Sequence, residues 1–104
     1  MIKILIVDAD IEARAQLQTE LQSAGYGVLT AGSAAEGMGL IAQDIHLAIV
    51  SVELPDQNGF VLCSRLKKQD ETAELPIFIT SSAETTTAFE QHSQLATHAD
   101  GYFL

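Results

Sequence analysis

The side chains able to do chemistry in this sequence gather just after apolar runs. Asp8-Ala9-Asp10 follows Ile4-Leu5-Ile6-Val7, Ser51-Val52-Glu53 follows Leu47-Ala48-Ile49-Val50, and Thr80-Ser81-Ser82 closes the run that starts at Pro76. These groups are carboxylates and hydroxyls. A serine hydroxyl is a poor nucleophile at neutral pH without a base beside it. Asp10 stands immediately before an amphipathic segment, where an aspartate commonly accepts the first N–H groups of a helix, and Glu53 reads as a solvated loop acid. His46, His92 and His98 have no metal-ligand spacing to one another or to Cys63. Cys63, within Phe60-Val61-Leu62-Cys63, reads as a small buried hydrophobe, and Thr85-Thr86-Thr87 as a helix start.

The elements that must position these groups alternate along the chain. Ile4–Val7, Leu47–Val50, Pro76–Thr80 and Tyr102–Leu104 are continuous aliphatic or aromatic runs, the pattern of strands buried on both faces. Val28–Ala31, entered through Gly25-Tyr26-Gly27, is a weaker one. Between them, Ala13, Leu17, Leu21 and Ala24 recur at helical spacing. Ser33-Ala34-Ala35-Glu36 has capping-box spacing ahead of Met38, Ile41 and Ala42. Asn58 precedes a third helical segment with Phe60, Leu62, Cys63 and Leu66, and a fourth runs from about Thr86 through Phe89, His92 and Leu95. Alternating strands and helices joined by short connections predict an α/β fold, a doubly wound parallel sheet with helices on both faces. Ligands in such sheets bind beyond the carboxyl ends of the strands, which is where the three clusters fall.

Composition narrows the function classes. A chain of 104 residues supports one domain, and 47% hydrophobic against 18% charged residues is a folding composition. Fourteen acids against five bases give a net charge of −9, which repels nucleic acid. The lone cysteine makes no internal disulfide, the apolar N-terminal run is too short for a signal peptide, and no stretch approaches a membrane span, so the chain reads as cytoplasmic with no membrane partner. The turn after the first strand lacks the G-x-G-x-x-G of a dinucleotide site.

Taken together, Lys3-Ile4-Leu5-Ile6-Val7-Asp8, Leu54-Pro55-Asp56-Gln57-Asn58-Gly59-Phe60, Leu75-Pro76-Ile77 and Ala99-Asp100-Gly101-Tyr102 resemble, in order and spacing, the signature segments of response-regulator receiver domains of two-component signal transduction. A closer resemblance, to the pseudo-receiver of a gliding-motility regulator that works without phosphorylation, is carried by Leu66-Lys67-Lys68, Gln91-His92 and His98-Ala99-Asp100. The family implies a flavodoxin-like, chemotaxis-regulator-like sheet of order 2-1-3-4-5. It also implies transfer of a phosphoryl group from a kinase histidine to an aspartate, assisted by Mg²⁺ held by hard oxygen ligands.

Carried onto this chain, the resemblance implies an incomplete site. Asp8 falls on the first acid, Ala9 on the second, Ser51 on the phosphoacceptor and Ser81 on the hydroxyl expected to contact a phosphoryl oxygen. The family's lysine would come just after Leu104. Mg²⁺ is expected to bind weakly or not at all, with Asp8 a possible ligand and Asp10 or Glu53 the residues that could take over a missing carboxylate role. Tyr102 matches an aromatic that swings between exposed and buried states, and an edge-strand core tyrosine is the other reading. The expected role is a pseudo-receiver and not an enzyme. It would bind another protein through the surface of its fourth helix and fifth strand; the alternative is a phosphoacceptor in a phosphorelay served by a sensor kinase. The family adds a fifth helix after the last strand, so residues 1–104 are expected to be a receiver domain lacking that helix, cut from a longer protein whose effector is not legible. That would leave Ile2, Ile4, Ile6 and Phe103 partly open, depending on strand parity.

Overall fold

A computed structural model describes residues 1–41, 43–81 and 86–103. The expectations that fell on Ala42, Ser82, Thr85 and Leu104 lie outside the described residues. The elements alternate as β1 (Lys3–Val7), α1 (Ile11–Ser23), β2 (Gly27–Ala31), α2 (Ala34–Leu40), β3 (Leu47–Ser51), α3 (Gly59–Lys68), β4 (Ile77–Thr80), α4 (Thr86–Ser93) and β5 (Gly101–Phe103). Every pairing is parallel, and the five strands lie in the order β2-β1-β3-β4-β5. The chain therefore reverses its direction of winding beside β1 and β3, the point at which α/β sheets open a crevice at their carboxyl edge.

The core forms on one face of the sheet. Leu5 and Val7 of β1, Ala48 and Val50 of β3, and Ile77 and Ile79 of β4 point to one side by strand alternation, where Leu62, Cys63 and Leu66 of α3 and Phe89 of α4 meet them. Each fully buried aliphatic side chain contributes about 1.5–3 kcal/mol. Cys63 belongs to this cluster, and burial pushes its thiol up to about 11, so it is held as an unreactive thiol. Gly37 lets α2 approach β1, since a β-carbon there would press on Val7.

The opposite face is covered unevenly. Ile4 and Ile6 are 3% and 1% exposed beneath α1, whereas Ile2 and Phe103 are 52% and 51% exposed. Of the four residues expected to be partly open, Ile4 and Ile6 are covered because they lie within the central strand β1, while Ile2, just before that strand, and Phe103, on the edge strand β5, are open. The inward side of α1 also differs from the predicted stripe. Leu17 and Leu21 are half-buried as expected, but Ala13 and Ala24 are exposed and Arg14 turns inward, its guanidinium donating to the Asp8 carbonyl at 2.9 Å. The alkyl stem of an arginine can cover apolar surface while its head finds an acceptor. The second helix closes at Leu40, with Ile41, predicted to lie within it, as its C-cap.

Two polar ties lock loops to this frame. Lys67 Nζ donates to Asp100 Oδ2 and to the Leu75 carbonyl, both at 2.8 Å, while Ile77 N–H donates to the same carboxylate oxygen at 2.8 Å, so the end of α3 is joined to the starts of β4 and β5. Burial pushes the Asp100 carboxyl up, but Lys67 and the Ile77 N–H outweigh it and hold it below the usual range. Asp56 makes the second tie. Its two oxygens accept from Ala34 N–H and Ala35 N–H at 2.9 Å each, capping α2 from the loop before α3.

Those N–H groups hold the Asp56 carboxyl below its ordinary 3.8. A folded pKa below the unfolded one means stability that is present above about pH 4 and lost as pH falls through the folded value. Asp56→Asn is accordingly expected to lower the melting temperature at neutral pH and to flatten its fall between about pH 5 and pH 2. Parallel melting curves for the two proteins across that window would show that the cap is not felt.

Candidate functional site

The carboxyl ends of β1, β3 and β4 surround an open cleft of about 210 Å³ lined by Asp8, Asp10, Ala13, Ser51, Glu53, Thr80 and Ser81. The sequence clusters thus meet in space. Asp8 is half-buried, with its Oδ1 accepting the Asp10 N–H at 2.9 Å. Asp10 Oδ1 accepts from Glu12 N–H and Ala13 N–H at 3.0 and 3.2 Å, which makes it the N-cap of α1. Ala9, between them, is exposed and brings only a methyl group.

Across the cleft, Ser51 is the last residue of β3 and is 6% exposed. Its Oγ accepts the Glu53 N–H at 3.3 Å, a local turn that shapes the loop after the strand. Ser81, also 6% exposed, donates its hydroxyl proton to Glu53 Oε2 at 2.7 Å. Glu53 was expected to be a solvated loop acid; it is exposed, yet its carboxylate reaches back to β4. Sequence separation of 28 residues hides that contact.

Gly59 brings the start of α3 close against the end of β3. A β-carbon at this position would overlap the Ser51 carbonyl oxygen, and its own N–H donates to the Val52 carbonyl at 3.0 Å. Only glycine lets the start of α3 lie this close to the end of β3. Asn58 Oδ1, accepting from Phe60 N–H at 2.7 Å, caps the helix one residue earlier.

A polar relay runs from the core toward β5. Tyr102 Oη accepts the Ala99 N–H at 2.9 Å and shares a hydrogen bond with His92 Nδ1 at 2.6 Å. His92 Nε2 lies 3.3 Å from Ser64 Oγ, which accepts from Thr97 Oγ1 at 2.9 Å. Burial pushes the His92 pKa down and that of Tyr102 up, so both groups are neutral at pH 7. Phe60 and Phe89 pack on these rings at centroid distances of 4.8 and 5.3 Å. The half-buried Tyr102 is therefore tied inward. Sequence reasoning paired Tyr102 with no partner, and the i to i+10 separation from His92 carries no periodic signal.

A parallel five-stranded sheet of this order, with acids and hydroxyls at its carboxyl edge, defines a receiver-type α/β domain. The model of the response regulator receiver domain family matches residues 4–104, and the chain belongs to that family. It is 34% identical over 101 residues to adventurous-gliding motility protein Z of Myxococcus xanthus, covering 96% of this chain and 7% of that protein. It is 36% identical over 81 residues to transcriptional regulatory protein GltR of Pseudomonas aeruginosa, covering 77% of this chain and 34% of that one. The chain thus spans only a minor part of these curated relatives. Among solved structures, Vibrio cholerae chemotaxis protein CheY4 superposes with a TM-score of 0.88 at 29% identity, covering 98% of this chain and 84% of that chain. No helix among the described residues is long and apolar enough to cross a membrane.

Proposed function

We propose that this receiver domain is a pseudo-receiver: a binding module that engages a partner protein through the surface of α4 and β5 and does so without aspartyl phosphorylation. The observation that carries this reading is Ser51, buried at the end of β3 on the acceptor position, its hydroxyl engaged with the Glu53 N–H. Among the described residues its Oγ hydrogen-bonds a backbone N–H and not a carboxylate or imidazole that could activate it, and a phosphorylated serine would be a stable ester where the family uses a labile acyl phosphate.

The donor set of the cleft also does not suit Mg²⁺. The cation demands near-octahedral oxygen coordination with one or two well-placed carboxylates. Asp8, Asp10 and Glu53 each already accept hydrogen bonds within the domain, which compete with coordination of a cation. The outward face of α4 offers Thr87, Glu90 and Gln91, with Leu95 and Phe103 about half exposed beyond it. These mixed polar and apolar groups suit a protein partner, and the net charge of −9 disfavours nucleic acid.

Incubation with a small-molecule phosphodonor and Mg²⁺ is expected to leave the intact mass unchanged. A gain of one phosphoryl group that hydroxylamine removes would identify an acyl phosphate and overturn the proposal in favour of an active phosphoacceptor.

A further inference from the structure

We infer that Glu53 is a resident anion of the cleft, its carboxylate making with Ser81 the hydroxyl contact that the family reserves for a transferred phosphoryl group, and so holding the ends of β4 and β5 in one state without modification. This deepens the function proposed above and rests on it.

The contact is short and charged. Ser81 is almost fully buried and donates to Glu53 Oε2 at 2.7 Å, and hydrogen bonds to an ionised acceptor are roughly twice as strong as neutral ones. The loop that carries Glu53 is pinned on both sides. Ser51 Oγ holds the Glu53 N–H, Val52 N–H donates to the Thr80 carbonyl at 2.9 Å, and Gly59 N–H donates to the Val52 carbonyl at 3.0 Å. From this anchored backbone the side chain crosses from the end of β3 to the end of β4.

The charge pattern is consistent with such an anion. An acid at position 51 would stand in the same cleft as Glu53 and repel it, and one at position 9, between the cleft residues Asp8 and Asp10, would add to the local negative charge. With Ala9 and Ser51 in their places, the remaining acids Asp8 and Asp10 both accept backbone N–H groups at 2.9 to 3.2 Å, which offsets their charge locally. The two neutral replacements and the acid at 53 therefore form one compatible set.

The held hydroxyl is coupled to the proposed docking surface. Ser81 N–H donates to the Phe103 carbonyl at 3.0 Å, and Phe103 follows Tyr102, whose hydroxyl lies between His92 and the Ala99 N–H. A displacement of Ser81 is thus passed directly to β5 and to the ring beside α4.

Nuclear magnetic resonance of the full chain tests this without reference to phosphorylation. In the parent protein the Ser81 hydroxyl proton is expected to exchange slowly and to show Overhauser contacts with the Glu53 γ-methylene. Glu53→Ala is expected to abolish both signals and to shift the Phe103 amide and the Tyr102 ring, whereas Glu53→Gln, which keeps an acceptor oxygen but loses the charge, is expected to keep the contact with faster hydroxyl exchange and smaller shifts of the same signals. Ser51→Asp, by repelling Glu53, is expected to reproduce the Glu53→Ala pattern. Unmoved Phe103 and Tyr102 signals in Glu53→Ala, or a persisting Glu53–Ser81 contact in Ser51→Asp, would overturn the resident-anion role while a parent protein that takes no phosphoryl group keeps the proposed function intact. A phosphorylated parent would overturn both.

Discussion

Gly59→Ala is expected to lower the melting temperature by roughly 12–24 °C, the equivalent of about 3 kcal/mol in a domain of this size. The added carbon would meet the carbonyl oxygen and carbon of Ser51 and the Cα of Val52, all backbone atoms that cannot rotate aside. Relief requires α3 to move off the end of β3. That motion would break the Gly59 N–H bond to the Val52 carbonyl and disturb Leu62 and Leu66 in the core. Against a total stability of about 5–15 kcal/mol the loss is severe. Gly39→Ala is the natural control. Gly39 lies in α2 with no atom near an added β-carbon, so alanine there should stabilise by about 0.5–1 kcal/mol through reduced unfolded-state freedom. Thermal unfolding of both variants decides the matter, and a Gly59→Ala protein within about 1 kcal/mol of the parent would show that the close approach is not needed.

The second large effect is expected from Ala9→Asp combined with Ser51→Asp. Without a divalent cation this variant places new carboxylates beside Asp8, Asp10 and Glu53, and like charges a few ångströms apart cost on the order of 1–4 kcal/mol per pair. Its melting temperature in a chelator should therefore fall below that of the parent. Mg²⁺ then reverses the deficit, because a ligand bound only by the folded state stabilises it by about 2.7 kcal/mol at a hundredfold excess over its dissociation constant. The parent should respond to millimolar Mg²⁺ little or not at all. Isothermal titration and melting curves with and without Mg²⁺ give both numbers. Equal responses in parent and variant would mean that Asp10 or Glu53 already completes a metal site, contrary to their present use as helix cap and Ser81 acceptor.

Much of this architecture was legible because local signals and tertiary demands agree. The unbroken aliphatic runs of β1, β3 and β4 announce strands covered on both faces, and Asp10, Ser33 and Asn58 mark three helix starts that the structure caps with those same side chains. Where prediction erred, a neighbour decided. Helical spacing nominated Ala13 and Ala24 as inward positions on α1, but the small alanines are outbid by Arg14, whose long stem reaches the Asp8 carbonyl.

The site divides along the same line. Chain position alone placed Asp8, Ala9, Ser51 and Ser81 at strand ends, since residue identity at a fixed strand end is a one-dimensional property, and the family resemblance added the expectation that carboxylates are missing where its chemistry needs them. Only the folded chain decides what the remaining groups do. That Glu53 accepts from Ser81, that Asp56 caps α2, that Lys67 pairs with Asp100 and that Tyr102 is tied to His92 are facts about residues 10 to 33 positions apart, brought together by parallel crossovers that put sequence-distant ends side by side. Hydrogen bonds depend on atoms within about 3 Å. No periodicity in the sequence encodes that distance; the register of the sheet does.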